Sequence, residues 1–491
     1  MNMKLTSSTL SAAIALTLTA CSGTGGGVAG IGGSGFTSSG SVTGFGSIFV
    51  NGVEFDTSSS SFDIEGLSGT QTDLALGMRV KVSGSVNADG VTGTATTVTF
   101  EDQLEGPISS ATFTEDADML NKQFTVLGVT VNINADDTTF VGTGFDYDSI
   151  ASGDNIQISG FYDDAGILQA TAIVKKDAFV AGTTIVEAKG KLSALASNTF
   201  TLTIGTTTTL SVDASGADIS QISGGLANGQ FVEVKGTIAT VSGTSLSATV
   251  IKLEDDQQAE GSDIEIEGFI TRYVSVSDFD VDGTPVNASS ATKTPSTLLL
   301  RSGIKVEVEG TVSNGVLQAA ELKLREGEVK VHAVASNVDT TTNTFLMTVS
   351  GDTIKVTVNS STRLDDKLVS ETLADAVAKL EGQFLRVRGI DDGSGNGLIA
   401  TRIRIRNLHD DVILQGTIDM SNIGSSVTVL GVTVEINNNT DFQDINNNTL
   451  GAGTMGHTDF DALVTPGVTL IKIKDKDVTD DIADEVELQR P

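Results

Sequence analysis

Short runs in which apolar and polar residues alternate recur along the chain, and their two-residue period is that of a half-buried β-strand. Two of the clearest are residues 229–236, GQFVEVKG, and 382–389, GQFLRVRG. In both, apolar residues stand three and five positions after the first glycine, and charged residues stand beside them. The pattern predicts strands that turn one face to a core and the other face to water.

A glycine precedes this strand at intervals of 74 to 85 residues, which is the size of a small domain. The first five of these glycines are followed by a second glycine seven residues later. Such self-similarity predicts a tandem array of about six copies of one β-module. The six leading glycines are Gly77, Gly153, Gly229, Gly303, Gly382 and Gly467.

Four further strands recur in each copy. An opening strand ends in glycine or alanine, as in 186–190, VEAKG. A hairpin follows, and its sequence at 124–131, FTVLGVTV, returns almost unchanged at 427–434, VTVLGVTV. The closing strand carries an alanine three residues before an aliphatic residue, as in Ala95 and Val98, which indicates a crowded place in a barrel interior.

Five strands in this order, with a connection between the third and fourth that can hold a helix, predict a small closed barrel of the oligonucleotide/oligosaccharide-binding (OB) type. The predicted fold class is all-β, a tandem array of about six five-stranded OB-like modules. Immunoglobulin-like sandwiches are the alternative, although they need about seven strands per unit. The predicted modules are residues 40–102, 103–178, 185–257, 263–327, 328–407 and 411–491.

The connection in the fifth module has a helical pattern. Ser370 is its predicted N-cap, and apolar residues follow at helical spacing from Leu373 to Leu380. Gly382 is expected to end the helix, because glycine commonly follows the last helical turn.

The N-terminus carries a targeting signal. Lys4 precedes a short apolar stretch, and residues 18–21, LTAC, resemble the lipobox of bacterial lipoproteins. Cys21 is the single cysteine of the chain. The resemblance implies a signal peptide at 1–20, a lipidated Cys21 that holds the protein to a membrane, and a flexible Gly/Ser tether at 21–39. Because Ser22 follows the cysteine, the expected location is the outer membrane of a bacterial envelope, with the periplasmic and surface faces both open.

The array as a whole, from about residue 40 to 491, resembles bacterial lipoproteins that carry tandem copies of a small β-domain of unknown function. That resemblance implies the modular β architecture and the envelope location. It supplies no catalytic residues.

The charge of the chain excludes one class of partner. The net charge is −33, so the basic surface that nucleic-acid binding requires is not expected. An envelope protein or a glycan remains open as a partner, although the absence of tryptophan and the presence of only three tyrosines disfavour stacking platforms for sugars. Divalent cations are the ions that such a chain attracts.

One segment has ligand-like spacing. Asp278, Asp280, Asp282 and Gly283 match the first half of a calcium loop, but Ser289 stands where a bidentate glutamate is expected. The segment also aligns with the recurrent hairpin, so we expect a strand and turn here. No cofactor is predicted, and the three aspartates are the candidate ligands for a weak calcium site.

No catalytic constellation is apparent in the sequence. The three histidines, His332, His409 and His457, lie far apart, and His332 takes a strand position that other modules fill with residues such as Glu105 or Lys189. We expect that position to be solvated. The predicted function is therefore a non-enzymatic, structural or binding lipoprotein of the cell envelope that presents its modules away from the membrane. The alternative is an oligosaccharide-binding or calcium-dependent adhesive surface protein.

Overall fold

The structure is a computed structural model, and it describes residues 36–109, 114–115, 121–135, 137–254, 260–294, 296, 298–325, 329–359, 362–365, 368, 372–406, 411–444, 448–476, 480 and 482–489. Cys21, Ser370 and His409 lie outside the described residues. The lipidation of Cys21 therefore stays a prediction. In the part of the chain that is described, no helix has the length and apolar character needed to cross a bilayer.

Strands form most of the described chain and group into six barrels, called modules one to six below. Module one comprises β1 (Phe36–Gly44), β2 (Ile48–Val50), β3 (Val53–Asp56), β4 (Ser61–Ile64), β5 (Leu67–Gly69), a 3-10 turn (Gln71–Asp73), β6 (Arg79–Val86) and β7 (Thr92–Phe100). Module two comprises β8 (Leu104–Pro107), β9 (Thr114–Glu115), β10 (Asn121–Val126), β11 (Val129–Asn134), β12 (Thr139–Val141), β13 (Asn155–Tyr162) and β14 (Leu168–Lys175). Module three comprises β15 (Val186–Ala196), β16 (Thr199–Ile204), β17 (Thr208–Asp213), β18 (Phe231–Ile238) and β19 (Ser245–Leu253).

The second half of the chain repeats this plan. Module four comprises β20 (Asp263–Ser275), β21 (Asp278–Val281), β22 (Thr284–Asn287), β23 (Thr292–Thr294), β24 (Lys305–Ser313) and β25 (Val316–Leu324). Module five comprises β26 (Val329–Asp339), β27 (Thr344–Val349), β28 (Asp352–Thr357), α1 (Leu373–Ala378), β29 (Phe384–Asp391) and β30 (Gly397–Arg406). Module six comprises β31 (Val412–Asn422), β32 (Ser426–Val429), β33 (Val432–Glu435), β34 (Asp441–Gln443), β35 (Thr449–Ala452), α2 (Gly453–Asp461), β36 (Leu470–Asp475) and β37 (Glu485–Leu488).

Modules one, three, four and five are closed five-stranded barrels with one strand order. In module one, β1 pairs with β2, β2 with β3, β3 with β7, β7 with β6, and β6 again with β1. The β3–β7 pair is parallel and the others are antiparallel. In modules two and six, isolated bridges at Ile108–Val126 and Glu435–Ile482 complete the corresponding circuit. The predicted all-β array of OB-like barrels is thereby confirmed.

The leading glycine of each module has a single structural role. Its φ angle lies between 72° and 94°, a left-handed conformation that residues with a Cβ rarely adopt. Its N–H donates a hydrogen bond of 2.8–2.9 Å to a carbonyl of the opening strand, as Gly77 does to Val42 and Gly229 to Leu192, or in module two to Ile108 directly after that strand. The glycine thus starts the fourth barrel strand and fixes its register on the first.

The second glycine lies at a β-bulge. Gly236 of β18 faces Ala248 of β19, and the register shifts between Lys235 and Gly236. A Cβ on Gly236 would come closer than 3.0 Å to the carbonyl oxygen of Ser247. The recurrent alanine is therefore small because the two backbones approach closely at this bulge.

The helix of module five differs from its prediction at the N-terminus. The side chain of Thr372 caps α1 by accepting a hydrogen bond from the Asp375 N–H. Ala376, Val377 and Leu380 are buried against the barrel, as expected. At the start of module one, β1 begins at Phe36, inside the predicted tether, because Phe36 is buried and pairs with Gly84.

The barrels join in pairs through their opening strands. In modules two and three, β8 lies antiparallel to β15, and in modules five and six β26 lies antiparallel to β31. Modules one and four are not neighbours in sequence, yet β1 lies parallel to β20. The three extended sheets have 13, 12 and 12 strands, so strand pairing joins the six modules into three pairs.

Candidate functional site

A partly open cavity of about 540 Å³ lies where modules one, two, four, five and six meet. We call it the central cavity. Its volume is within the range of typical ligand pockets. Its walls come mainly from the outer faces of the barrels, so it exists only because the modules associate.

One wall of the central cavity is basic. Arg388 of β29 lies directly opposite Arg402 of β30, and Arg402 also forms a parallel bridge with Arg363. Lys330 of β26 pairs in register with Arg388. All four line the cavity. Like charges directly opposite each other destabilise a sheet, so this arrangement has a cost in stability that must be offset by something else.

The carboxylate of Asp137 faces these four cations. Its Oδ2 atom lies 2.6 Å from Nη1 of Arg388, and the Asp137 backbone carbonyl oxygen accepts a hydrogen bond of 2.8 Å from Arg363. Burial opposes the ionisation of Asp137, but Arg388, Arg402, Arg363 and Lys330 outweigh it and lower the pKa of the carboxyl. Basic side chains therefore outnumber acidic ones on this wall, in a protein whose net charge is −33.

The neighbouring wall is made of amides and acids of module two. Asn132 donates to Gln169 at 2.7 Å, and Gln169 donates to Asp163 at 2.8 Å. Asn134 donates to Asn121 at 2.8 Å. Such groups provide both donors and acceptors, which is the chemistry that recognises hydroxyl groups.

Phe161 lines the central cavity where modules one, two and four meet. Lys305 and Arg79 lie 4.2 Å and 4.9 Å from the centre of the Phe161 ring. Each cation is also paired with an acid, Lys305 with Glu267 at 2.6 Å and Arg79 with Asp282 at 2.5 Å. These contacts fix the relative positions of the three barrels beneath the cavity.

A smaller pocket of about 90 Å³ adjoins the basic wall and is lined by His332, Arg386 and Lys472, among others. His332 is only 3% exposed, and its Nδ1 atom has no hydrogen-bond partner among the described residues. Burial, and then the nearby Arg386, lower the pKa of His332 well below its ordinary value. The imidazole is therefore neutral, and the residue lines the smaller pocket.

The expectation that His332 is solvated is thus wrong. Lys189 and Gln415, at the equivalent position of modules three and six, are also buried, and Glu105 is half-buried. Alternation correctly places these side chains outside their own barrel. The outside of one barrel, however, is covered by the next barrel.

The three candidate calcium ligands lie in the hairpin predicted for them. Asp278 and Asp280 on β21 both accept hydrogen bonds from Arg272, at 2.7–2.8 Å. Asp282 lies in the turn with Gly283 and pairs with Arg79. The structure therefore directs these carboxylates to two different arginines and does not gather them around one point.

One serine and one histidine do come together. The Oγ atom of Ser421 lies 2.8 Å from Nε2 of His457. The Nδ1 atom of that ring accepts a hydrogen bond from the Gly424 N–H, so Nε2 carries the proton and donates to the serine. In this arrangement Nε2 cannot accept the serine proton, and stacking on Phe442 at 4.8 Å indicates a packing role.

The basic wall is absent from the sequence-based predictions, although the chain carries a signal for it. Arg386, Arg388, Arg402, Arg404 and Arg406 occupy alternate positions of two adjacent strands in a strongly acidic chain. Both strands belong to one module, so their outer face could be identified as cationic from the sequence alone.

Comparison with known proteins identifies the repeated unit. A family model described as "Domain of unknown function (DUF5666)" matches residues 38–99, 105–174, 189–252, 267–323 and 415–455, more than half of the chain. These segments lie in modules one, two, three, four and six. The strand order of module five is nevertheless that of modules one, three and four. No curated protein matches the chain.

Proposed function

The chain belongs to the family defined by the domain of unknown function DUF5666, and we propose that it is a non-catalytic binding protein of the bacterial cell envelope whose central cavity takes an acidic oligosaccharide. The observation that carries the proposal is the facing set of Arg388, Arg402 and Arg363 around the carboxylate of Asp137. A carboxylated or sulfated sugar would bring further negative charge to this wall.

Guanidinium groups suit this role because their planar donors match carboxylate and sulfate oxygens in pairs. The amide wall formed by Asn132, Gln169 and their neighbours offers partners for sugar hydroxyls. Recognition would therefore depend on charge and hydrogen bonds. This is consistent with a chain that has no tryptophan for stacking.

The envelope location is part of the same proposal. Lipid on Cys21 would hold the chain to the outer membrane, and residues 22–35 would separate the lipid from β1. The six modules would then present the glycan-binding cavity away from the membrane.

The test is calorimetric titration of the full chain with a trimer of galacturonic acid and with maltotriose, at physiological ionic strength. Saturable binding of the acidic trimer and none of maltotriose is expected. Arg388→Gln should weaken this binding, whereas Arg272→Gln should not, because Arg272 pairs with Asp278 and Asp280 away from the cavity. Equal binding by both variants, or no binding of acidic sugars, would contradict the proposal.

A further inference from the structure

Three carboxylates from separate elements meet at the junction of modules one, two and three. Glu65 lies in the tight turn between β4 and β5, Asp102 lies in the link between β7 and β8, and Glu187 lies on β15. One oxygen of each lies within 4.8 Å of the others. We call these residues the junction carboxylates.

Backbone hydrogen bonds hold two of them in place. The Glu65 N–H donates to the carbonyl of Phe100 at 2.9 Å, and the Asp102 N–H donates to Oε1 of Glu65 at 2.7 Å. Glu187 is fixed by the pairing of β15 with β8 and β18. The junction carboxylates are therefore positioned by the fold and need no flexible loop to bring them together.

Asp102 points to a missing ligand. Its side chain is fully buried, and neither carboxylate oxygen has a hydrogen-bond partner among the described residues. Glu187 is only 3% exposed, and its Oε1 atom also has no hydrogen-bond partner among the described residues. A carboxylate in such a site needs a cation or a proton.

The cationic side chain nearest to the cluster does not meet this need. Lys235 lies 2.6 Å from Glu187 and 3.2 Å from Glu65, on their other oxygens. One lysine against three carboxylates leaves two negative charges, which is the charge that one divalent cation would balance. A neighbouring cluster, Glu101, Glu233 and Glu254, provides the contrast, because Lys189 lies within 4 Å of all three and both Lys235 and Lys252 also contact Glu233.

We propose that Glu65, Asp102 and Glu187 bind one calcium ion, which joins modules one, two and three. Only oxygen ligands are present, so the site suits a hard cation. Calcium accepts oxygen ligands in a flexible geometry at about 2.3–2.6 Å, whereas magnesium requires near-ideal octahedral geometry at about 2.0–2.1 Å and usually keeps several waters, which suits a buried cluster of carboxylates less well. The site is independent of the central cavity and of the aspartates at 278–282.

The test is calorimetric titration of the full chain with CaCl2 after removal of divalent ions by EGTA. One saturable site per chain is expected, together with a rise in the melting temperature that MgCl2 does not reproduce. Asp102→Asn and Glu187→Gln should each abolish the site, because each keeps the shape of the side chain and removes its charge. The matched control, Asp278→Asn with Asp280→Asn, should keep it.

Two results would overturn the proposal. One is a wild-type chain without a saturable calcium site at millimolar CaCl2. The other is a calcium site that survives both junction variants or disappears in the Asp278/Asp280 control. If Asp102→Asn does not fold, Glu187→Gln alone decides the question, because Lys235 would still have Glu65 and Glu233 as partners.

Discussion

Arg388 Nη1 lies 2.6 Å from Asp137 Oδ2, and this ion pair joins the fourth barrel strand of module five to the segment between β11 and β12 of module two. The two residues are far apart in sequence, and the strands on either side of Asp137 belong to a different sheet from β29. Modules that are distant in the chain are thus coupled by charge as well as by strand pairing. Damage to one module is expected to spread to its spatial partners, not only to its sequence neighbours.

Asp137→Asn should weaken the association of modules two and five. The change removes the carboxylate that faces Arg388, Arg402 and Arg363, and the loss expected is about 1–3 kcal/mol in the free energy of unfolding. Thermal melts should show the loss most clearly at low salt, because added anions screen the arginines. A melting temperature equal to that of the wild type at low salt would contradict the assigned role of Asp137.

Gly236→Ala should destabilise module three. The added Cβ would meet the carbonyl oxygen of Ser247 and the side chain of Leu246 at less than 3.0 Å, and overpacking of this kind costs about 1–3 kcal/mol. Gly216→Ala is the matched control in the same module, because a Cβ added there would have no heavy atom within 4 Å. Limited proteolysis of both variants checks the prediction, and equal resistance would count against the bulge as the reason for this glycine.

The recurrent glycines show how much of the fold could be predicted. Positive φ at Gly229 and close backbone approach at Gly236 are local requirements that only glycine meets, so they leave a periodic trace in the sequence. The number of strands and the hairpins follow from the same local rules, whereas the start of module one did not, because β1 begins at Phe36 inside the predicted tether. The five-stranded barrel was therefore predictable from one chain.

The association of the barrels was not predictable in this way. The β1–β20 pairing uses backbone N–H and C=O groups that every strand edge presents, so side-chain patterns do not specify the partner. Polar residues such as Glu187 and His332 follow the alternation of exposed positions but are buried between modules. For the same reason the sequence did not reveal the central cavity or the junction carboxylates, which combine residues from several modules.

Cys21→Ser should release the protein from the membrane fraction. The prediction depends on the LTAC segment and on the single cysteine, both of which lie outside the described residues. Metabolic labelling with a fatty acid and fractionation of cells would measure it, with Ser22→Ala as a control that keeps the lipidation site. A labelled, membrane-bound Cys21→Ser protein would disprove the anchor.

Glu265→Gln should change how stability depends on pH. Glu265 of β20 accepts a hydrogen bond of 2.7 Å from Ser38 of β1, at the junction of modules one and four. Burial, and then the nearby Glu307, raise the pKa of Glu265 well above its ordinary value of 4.5. The folded chain therefore keeps a proton that the unfolded chain loses, and the stability from this group, complete below pH 4.5, falls as the pH rises towards the folded pKa.

Glutamine has the shape of glutamate but cannot ionise, so Glu265→Gln removes this loss of stability at higher pH. Its free energy of unfolding should exceed the wild-type value by an amount that grows by about 1.4 kcal/mol per pH unit above the ordinary pKa, up to the folded pKa.

Glu307→Gln is the control with the opposite sign. Burial opposes the ionisation of Glu307, but Arg325 and Lys323 outweigh it and lower the pKa, so this variant should be less stable than the wild type at neutral pH, and the difference should shrink as the pH falls. Denaturant titrations from pH 4 to 8 measure the trend for Glu265→Gln, and titrations extended below pH 4 measure the trend for Glu307→Gln, because the pKa of Glu307 is lowered from 4.5. Parallel curves for Glu265→Gln and the wild type would show that Glu265 is not protonated in the folded chain.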